Sequence, residues 1–197
     1  MGYAGGTTES PTYRSIGDHS EAVEISFDPE EISYEELLDI FWRSHNPMSR
    51  PYSRQYMSLI LYHDGDQRIA AERSLDQTEK ELGGSIFTEI VPVGTFTEAE
   101  AYHQKYNLQN SRLFLDELKR YYPDFSDIVD STAAARINGY LARYGTIEEL
   151  EREIEEYGLS EDAESELIRR VGPPEPGRIS RFFRSILGAC GIETGAN

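Results

Sequence analysis

The chain has 197 residues, 38% of them hydrophobic, and a formal net charge of −17. That length can bury a sizeable core, no run of about 18 apolar residues occurs that would cross a membrane, and so acidic a surface excludes nucleic acid and anionic membranes as partners. The single cysteine, Cys190, rules out an internal disulfide and fits a reducing compartment, the cytoplasm. His19, His45, His63 and His103 are scattered with no Cys/His ligand spacing, so no metal and no cofactor are expected.

In chain order, residues 2–20 are rich in glycine, threonine and proline and are predicted to be loop. Val23, Ile25 and Phe27 alternate with Glu24 and Ser26, the period of a half-buried strand, which Asp28-Pro29 ends. Ser33 and Glu36 form a capping-box pattern for a helix to about Ser44, stopped by Asn46-Pro47. Met57–Tyr62 is apolar enough for a central strand. A helix follows over Asp64–Leu82 and is closed by Gly83-Gly84, and Ile86–Val93 is a further strand. Thr97 and Glu100 repeat the capping box, which predicts a helix through His103, and another is expected over Leu113–Tyr121. Beyond Tyr122 the strand signal disappears. Helices are predicted over Ile128–Tyr144, from the Thr146/Glu149 cap to Tyr157 with Gly158 at its exit, and from Ser160 to just before Gly172. Pro173–Gly177 reads as a linker, followed by a basic, apolar stretch over Arg181–Leu187.

Strands and helices alternating, then helices alone, give an α+β two-layer core with a C-terminal helical extension. The expected division is 1–122 for the core, 123–172 for the extension and 173–197 for linker and tail.

Several motifs recur together. They are Gly2-Tyr3-Ala4-Gly5-Gly6, Pro11-Thr12-Tyr13, the run Gly17-Asp18-His19-Ser20-Glu21, Ser33–Leu38 with Phe41-Trp42, and Gln55-Tyr56-Met57-Ser58. Over roughly the first 110 residues this set resembles the A-type peptide-methionine sulfoxide reductases, which reduce the S epimer of methionine sulfoxide. The resemblance implies an α/β roll, ferredoxin-like in outline. It also implies methionine sulfoxide, free or in peptides, as substrate, and thioredoxin or another thiol as reductant. Sulfoxide reduction needs a thiolate to attack sulfur, an acid to protonate the departing oxygen, and donors to hold that oxygen. By resemblance the acid is Glu21, in His19-Ser20-Glu21, and the two pocket phenols are Tyr13 and Tyr56. A donor of this kind has to sit in a desolvated pocket, because a free glutamate titrates near 4.3.

Two parts of the family pattern do not match. The Gly-Cys-Phe-Trp-Gly segment with the nucleophilic cysteine has no counterpart, and would lie ahead of Met1. Without the strand and helix that accompany it, a sheet edge and an apolar face should be left uncovered. The loop Asn46–Arg54 is short and lacks the aspartate that supports the family's site, so no residue inherits that role. Cys190, in Gly188-Ala189-Cys190-Gly191, stands where family members often carry a resolving cysteine, and a stray cysteine fits equally well. Tyr102-His103-Gln104 matches a tract near the end of the family's core, where the histidine orders a loop. His45 reads as a cation at a helix C-terminus.

Three readings stay open: a reductase, a non-catalytic remnant that binds Met-rich or oxidised peptides, and an acidic helical interaction protein. The first carries a corollary. Arginine far outnumbers lysine, as in a GC-rich genome, where one valine codon also serves for initiation. Met1 is therefore expected to be an internal position of a longer gene product, which leaves open a targeting segment ahead of it.

Overall fold

The structure, a computed structural model, describes residues 1–172. The chain forms two units, Met1–Glu100 and Ala101–Asn197.

The first unit holds the strands. Gly2–Ala4 is β1, Ser20–Ala22 is β2 and Thr97–Glu98 is β5, and they form an antiparallel sheet in the order β2-β1-β5. Tyr3 stands opposite Glu21 on one side and opposite Thr97 on the other. The expected loop over residues 2–20 thus begins with a strand, and it is fully buried. Three residues with two small side chains give no alternation to detect. Gly2 is needed for the packing: a Cβ there would lie 2.3 Å from the Phe96 ring and 2.6 Å from the Thr97 carbonyl oxygen.

Leu59–Tyr62 is β3 and Glu89–Pro92 is β4. They pair in parallel, joined by the helix α2, Gly65–Leu82. The helix α1, Tyr34–Ser44, carries the expected Ser33/Glu36 capping box. Leu38 and Trp42 of α1 meet Ile60 and Ala71 in the core of this unit, and the Trp42 indole donates to Ser74 Oγ at 3.0 Å. Asp64 caps α2 through the Gln67 amide, and Gly83 closes it at φ +69°.

Two expected elements move. No strand forms over the predicted Val23–Phe27; pairing ends with β2 at Ala22. Val23 and Ile25 are 44% and 57% exposed, and with Phe27, Leu59, Leu61 and Phe96 they line an apolar groove of about 180 Å³. Alternation marks an apolar face, but it does not supply a partner strand. The helix predicted from Thr97 is instead β5 followed by a 3₁₀ turn, Ala101–His103, because the Glu100 carboxylate is engaged elsewhere, as described below.

His45 is enclosed by protein rather than left in solvent at the end of α1. It lies mostly out of solvent, with Nδ1 3.0 Å from the Phe41 carbonyl and Nε2 2.9 Å from Ser58 Oγ. Burial, only partly offset by the Phe41 carbonyl, pushes its pKa below the ordinary value, which favours the neutral ring. An unfolded chain protonates this histidine near about 6.5. Below that pH the unfolded state binds more protons, so stability is lost as the pH falls through that value. Urea midpoints at pH 7.5 and 5.5 should therefore fall further in the wild type than in His45→Gln. Equal falls would show that this ring does not set the acid sensitivity.

The second unit is helical throughout its described residues. Its helices are α3 (Tyr106–Gln109), α4 (Arg112–Leu118), α5 (Phe125–Asp130), α6 (Thr132–Leu141), α7 (Ile147–Glu153) and α8 (Glu161–Val171). The single helix expected over Ile128–Tyr144 is broken at Ser131, which leaves the helical conformation and caps α6 through the Ala134 amide. The Thr146/Glu149 capping box and the exit at Gly158, φ +66°, occur as predicted. Leu108, Phe114, Leu118, Ile137, Leu150 and Leu167 are fully buried in one core. Leu167→Ala should cost about 2–5 kcal/mol for the lost burial and the cavity left behind. A denaturation curve unchanged within about 0.5 kcal/mol would contradict that packing.

Helices with a small set of strands place the chain in the α+β class.

Candidate active site

The first unit gathers the site. It begins with the loop between β1 and β2. The Asp18 carboxylate accepts from the amides of Thr7 and Thr8 and from both hydroxyls, at 2.6–2.9 Å. These bonds, the Thr8 hydroxyl foremost, hold Asp18 well below the usual carboxylate range. Gly17 turns the chain at φ +64° directly against the Thr8 side chain. His19 is 2% exposed; its Nδ1 accepts from the Gly6 amide at 3.3 Å and its Nε2 donates to the Thr8 carbonyl at 2.8 Å. Asp18 and His19 therefore close the loop just ahead of Ser20-Glu21.

From β2 the contacts run to the 3₁₀ turn Arg54–Tyr56. Ser20 Oγ donates to the Arg54 carbonyl at 2.5 Å, and Gln55 Nε2 donates to Glu21 Oε1 at 2.6 Å. Arg54 reaches three groups: the Gly5 carbonyl at 3.0 Å, the Asp18 carbonyl at 3.3 Å, and Glu89 of β4 at 2.6 Å. This half-exposed ion pair contributes little stability by itself. Its effect is to tie the loop mouth, the turn and β4 together.

Tyr13 sits in a tight turn closed by Thr12 and Ser15, and is 37% exposed. Its backbone N–H donates to Glu100 Oε1 at 3.1 Å. The other oxygen of that carboxylate, Oε2, accepts from the Tyr3 hydroxyl at 2.6 Å. Tyr3 is buried opposite Glu21, and directly opposed residues of an antiparallel pair project to the same face of the sheet.

Of the three residues singled out by resemblance, Glu21 is bonded to the turn that carries Tyr56 through the neighbouring Gln55. Tyr13 is joined to the same sheet through Glu100 and Tyr3. Cys190 lies outside the described residues. His103 lies in the 3₁₀ turn that opens the second unit.

Comparison with known proteins decides the family. The family model for peptide methionine sulfoxide reductase matches residues 1–123. The chain belongs to this family. A peptide methionine sulfoxide reductase of Drosophila melanogaster is 45% identical over 162 residues, covering 81% of this chain and 65% of the relative. Peptide methionine sulfoxide reductase A5 of rice is 36% identical over 148 residues, 72% of this chain and 58% of the relative. Peptide methionine sulfoxide reductase MsrA of Methanosarcina acetivorans is 43% identical over 117 residues, 54% of this chain and 62% of the relative. The chain thus spans less than two thirds of the length of these relatives. The 162 residues aligned with the Drosophila protein exceed the family-model span, so that likeness runs into the helices beyond Pro123.

For this member of the peptide methionine sulfoxide reductase family, sequence reasoning passed over Tyr3, Gln55, Arg54 and Glu100. Gln55 stands beside Tyr56 in a quoted motif, yet nothing in a sequence says that an amide will reach a carboxylate 34 positions away. Glu100 had a signal that pointed elsewhere, since Thr97 and Glu100 have capping-box spacing.

Proposed function

We propose that the first unit binds methionine-S-sulfoxide, free or in peptides, and supplies the proton for its reduction to methionine. The observation that carries this reading is the Glu21 carboxyl, held by Gln55 at 2.6 Å and next in space to the turn that carries Tyr56. Membership of the peptide methionine sulfoxide reductase family supports the same reading.

In this scheme the phenols of Tyr13 and Tyr56 donate hydrogen bonds to the sulfoxide oxygen. A thiolate attacks the sulfoxide sulfur, Glu21 delivers a proton to the oxygen, and the S–O bond breaks as the S–S bond forms; the hydroxide released then attacks the thiol sulfur and breaks the S–S bond. Methionine leaves, and the thiol is left as a sulfenic acid. Two equivalents of thiol, from thioredoxin or another dithiol, then return the sulfenic acid to thiol and release water. The described residues contain no cysteine, so the attacking thiolate comes from outside them. Thiol-driven chemistry and a chain with one cysteine suit a reducing compartment such as the cytoplasm. No helix among the described residues is long and apolar enough to cross a membrane.

The test is a nuclear magnetic resonance titration of the chain with the two epimers of N-acetyl-methionine sulfoxide methyl ester. Saturable shifts at Tyr13, Glu21 and Tyr56 with the S epimer, and weaker ones with the R epimer, are expected. No saturable shift at any of the three would sink the reading. Binding without turnover, whatever thiol is added, would favour a binding module over an enzyme.

A further inference from the structure

We propose that Glu100 is a positioning residue of the sulfoxide site: its carboxylate holds the Tyr13 loop against the sheet face that carries Glu21. The inference rests on the methionine sulfoxide reading above and adds to it a residue to which that reading gave no role.

The geometry is specific. Glu100 uses its two oxygens on two different elements, Oε2 on the Tyr3 hydroxyl at 2.6 Å and Oε1 on the Tyr13 amide at 3.1 Å. Tyr3 is 2% exposed and stands opposite Glu21 in the ladder. One carboxylate therefore connects the phenol on the Glu21 face with the backbone of the residue assigned to grip the sulfoxide oxygen.

The anchor itself is rigid. Glu100 directly follows Ala99, whose amide donates to the Met1 carbonyl at 3.0 Å and so extends the β1–β5 pairing. Tyr13 by contrast is 37% exposed, so burial does not fix where its ring points. The nearby bonds of Asp18 and His19 close the loop on Gly6, Thr7 and Thr8, several residues away from Tyr13. Glu100 reaches the Tyr13 amide from 87 positions along the chain. A donor placed by a rigid element loses less freedom on binding than one on a loose turn, and side chains supported in this way bind more tightly.

The side chain's length matters more than its charge. Glutamine can present its oxygen to the Tyr13 amide, a pure donor, while its amide group donates to the Tyr3 phenol oxygen. Alanine can do neither.

The test compares wild type, Glu100→Gln and Glu100→Ala by the same titration, with N-acetyl-methionine-S-sulfoxide methyl ester and with the unoxidised N-acetyl-methionine methyl ester. The sulfide lacks the oxygen, so general loosening of the fold weakens both ligands, whereas a misplaced Tyr13 weakens the sulfoxide alone. In Glu100→Ala the dissociation constant for the sulfoxide should rise about tenfold, the loss of roughly one good hydrogen bond, with that for the sulfide unchanged. Glu100→Gln should stay within about threefold of wild type, the scale of a modest hydrogen-bond change. Wild-type sulfoxide affinity in Glu100→Ala, or equal weakening of both ligands, would overturn the inference and leave the sulfoxide reading standing. No preference of the wild type for the sulfoxide would overturn both.

Discussion

Replacing Glu21 by glutamine is expected to lower kcat for methionine-S-sulfoxide by about 10²-fold or more in any form of the protein that turns it over, the usual scale for loss of a general acid. Glutamine is nearly the same size, and its amide can still meet Gln55 once that side chain turns over. Binding should therefore change little, and the loss should fall on kcat rather than KM. The reason lies in the leaving group. Expelling oxide from sulfur without a proton is unfavourable, and Glu21 is the carboxyl placed by resemblance to supply one. A small sulfoxide that carries the same oxygen should show the same dependence. Wild-type kcat in Glu21→Gln would remove this residue from the chemistry and return the site to a binding role.

The second large effect is a loss of turnover altogether. The 197-residue chain by itself is expected to show no thioredoxin-dependent reduction above background. The step at sulfur needs a thiolate beside the acid, and the only cysteine is Cys190. The assay follows consumption of reduced thioredoxin with and without the S epimer. Robust turnover would contradict this expectation, and its disappearance in Cys190→Ser would then identify that thiol as the nucleophile.

Gln55 and Glu100 show why the candidate site was only half legible. Glu21, Tyr13 and Tyr56 stand in short motifs whose residue order is itself the signal. Gln55 and Glu100 act through contacts that join positions 34 and 87 apart. Glu100 was even assigned to a local role, the capping box, and the fold uses it differently because Thr97 is taken up by pairing with β1. His45 is a similar case. At the end of a helix a histidine is a favoured cation, until the packing that encloses it makes the neutral ring the cheaper form.

By itself the sequence determined what depends on neighbours a few residues apart. It gave the α+β class, the capping boxes at Ser33 and Thr146, the glycine exits at Gly83 and Gly158, and the motifs that mark the family. Helix caps and helical stripes are local, since their partners lie three or four residues away. Only the tertiary structure decided the rest. It made Gly2–Ala4 a buried central strand, left Val23 and Ile25 exposed along a groove, and broke the predicted helix at Ser131. It also joined Glu21 to Gln55 and Tyr13 to Glu100. Each of these depends on which distant backbone or side chain arrives alongside, and strand pairing and carboxylate contacts carry no local periodicity that would announce it.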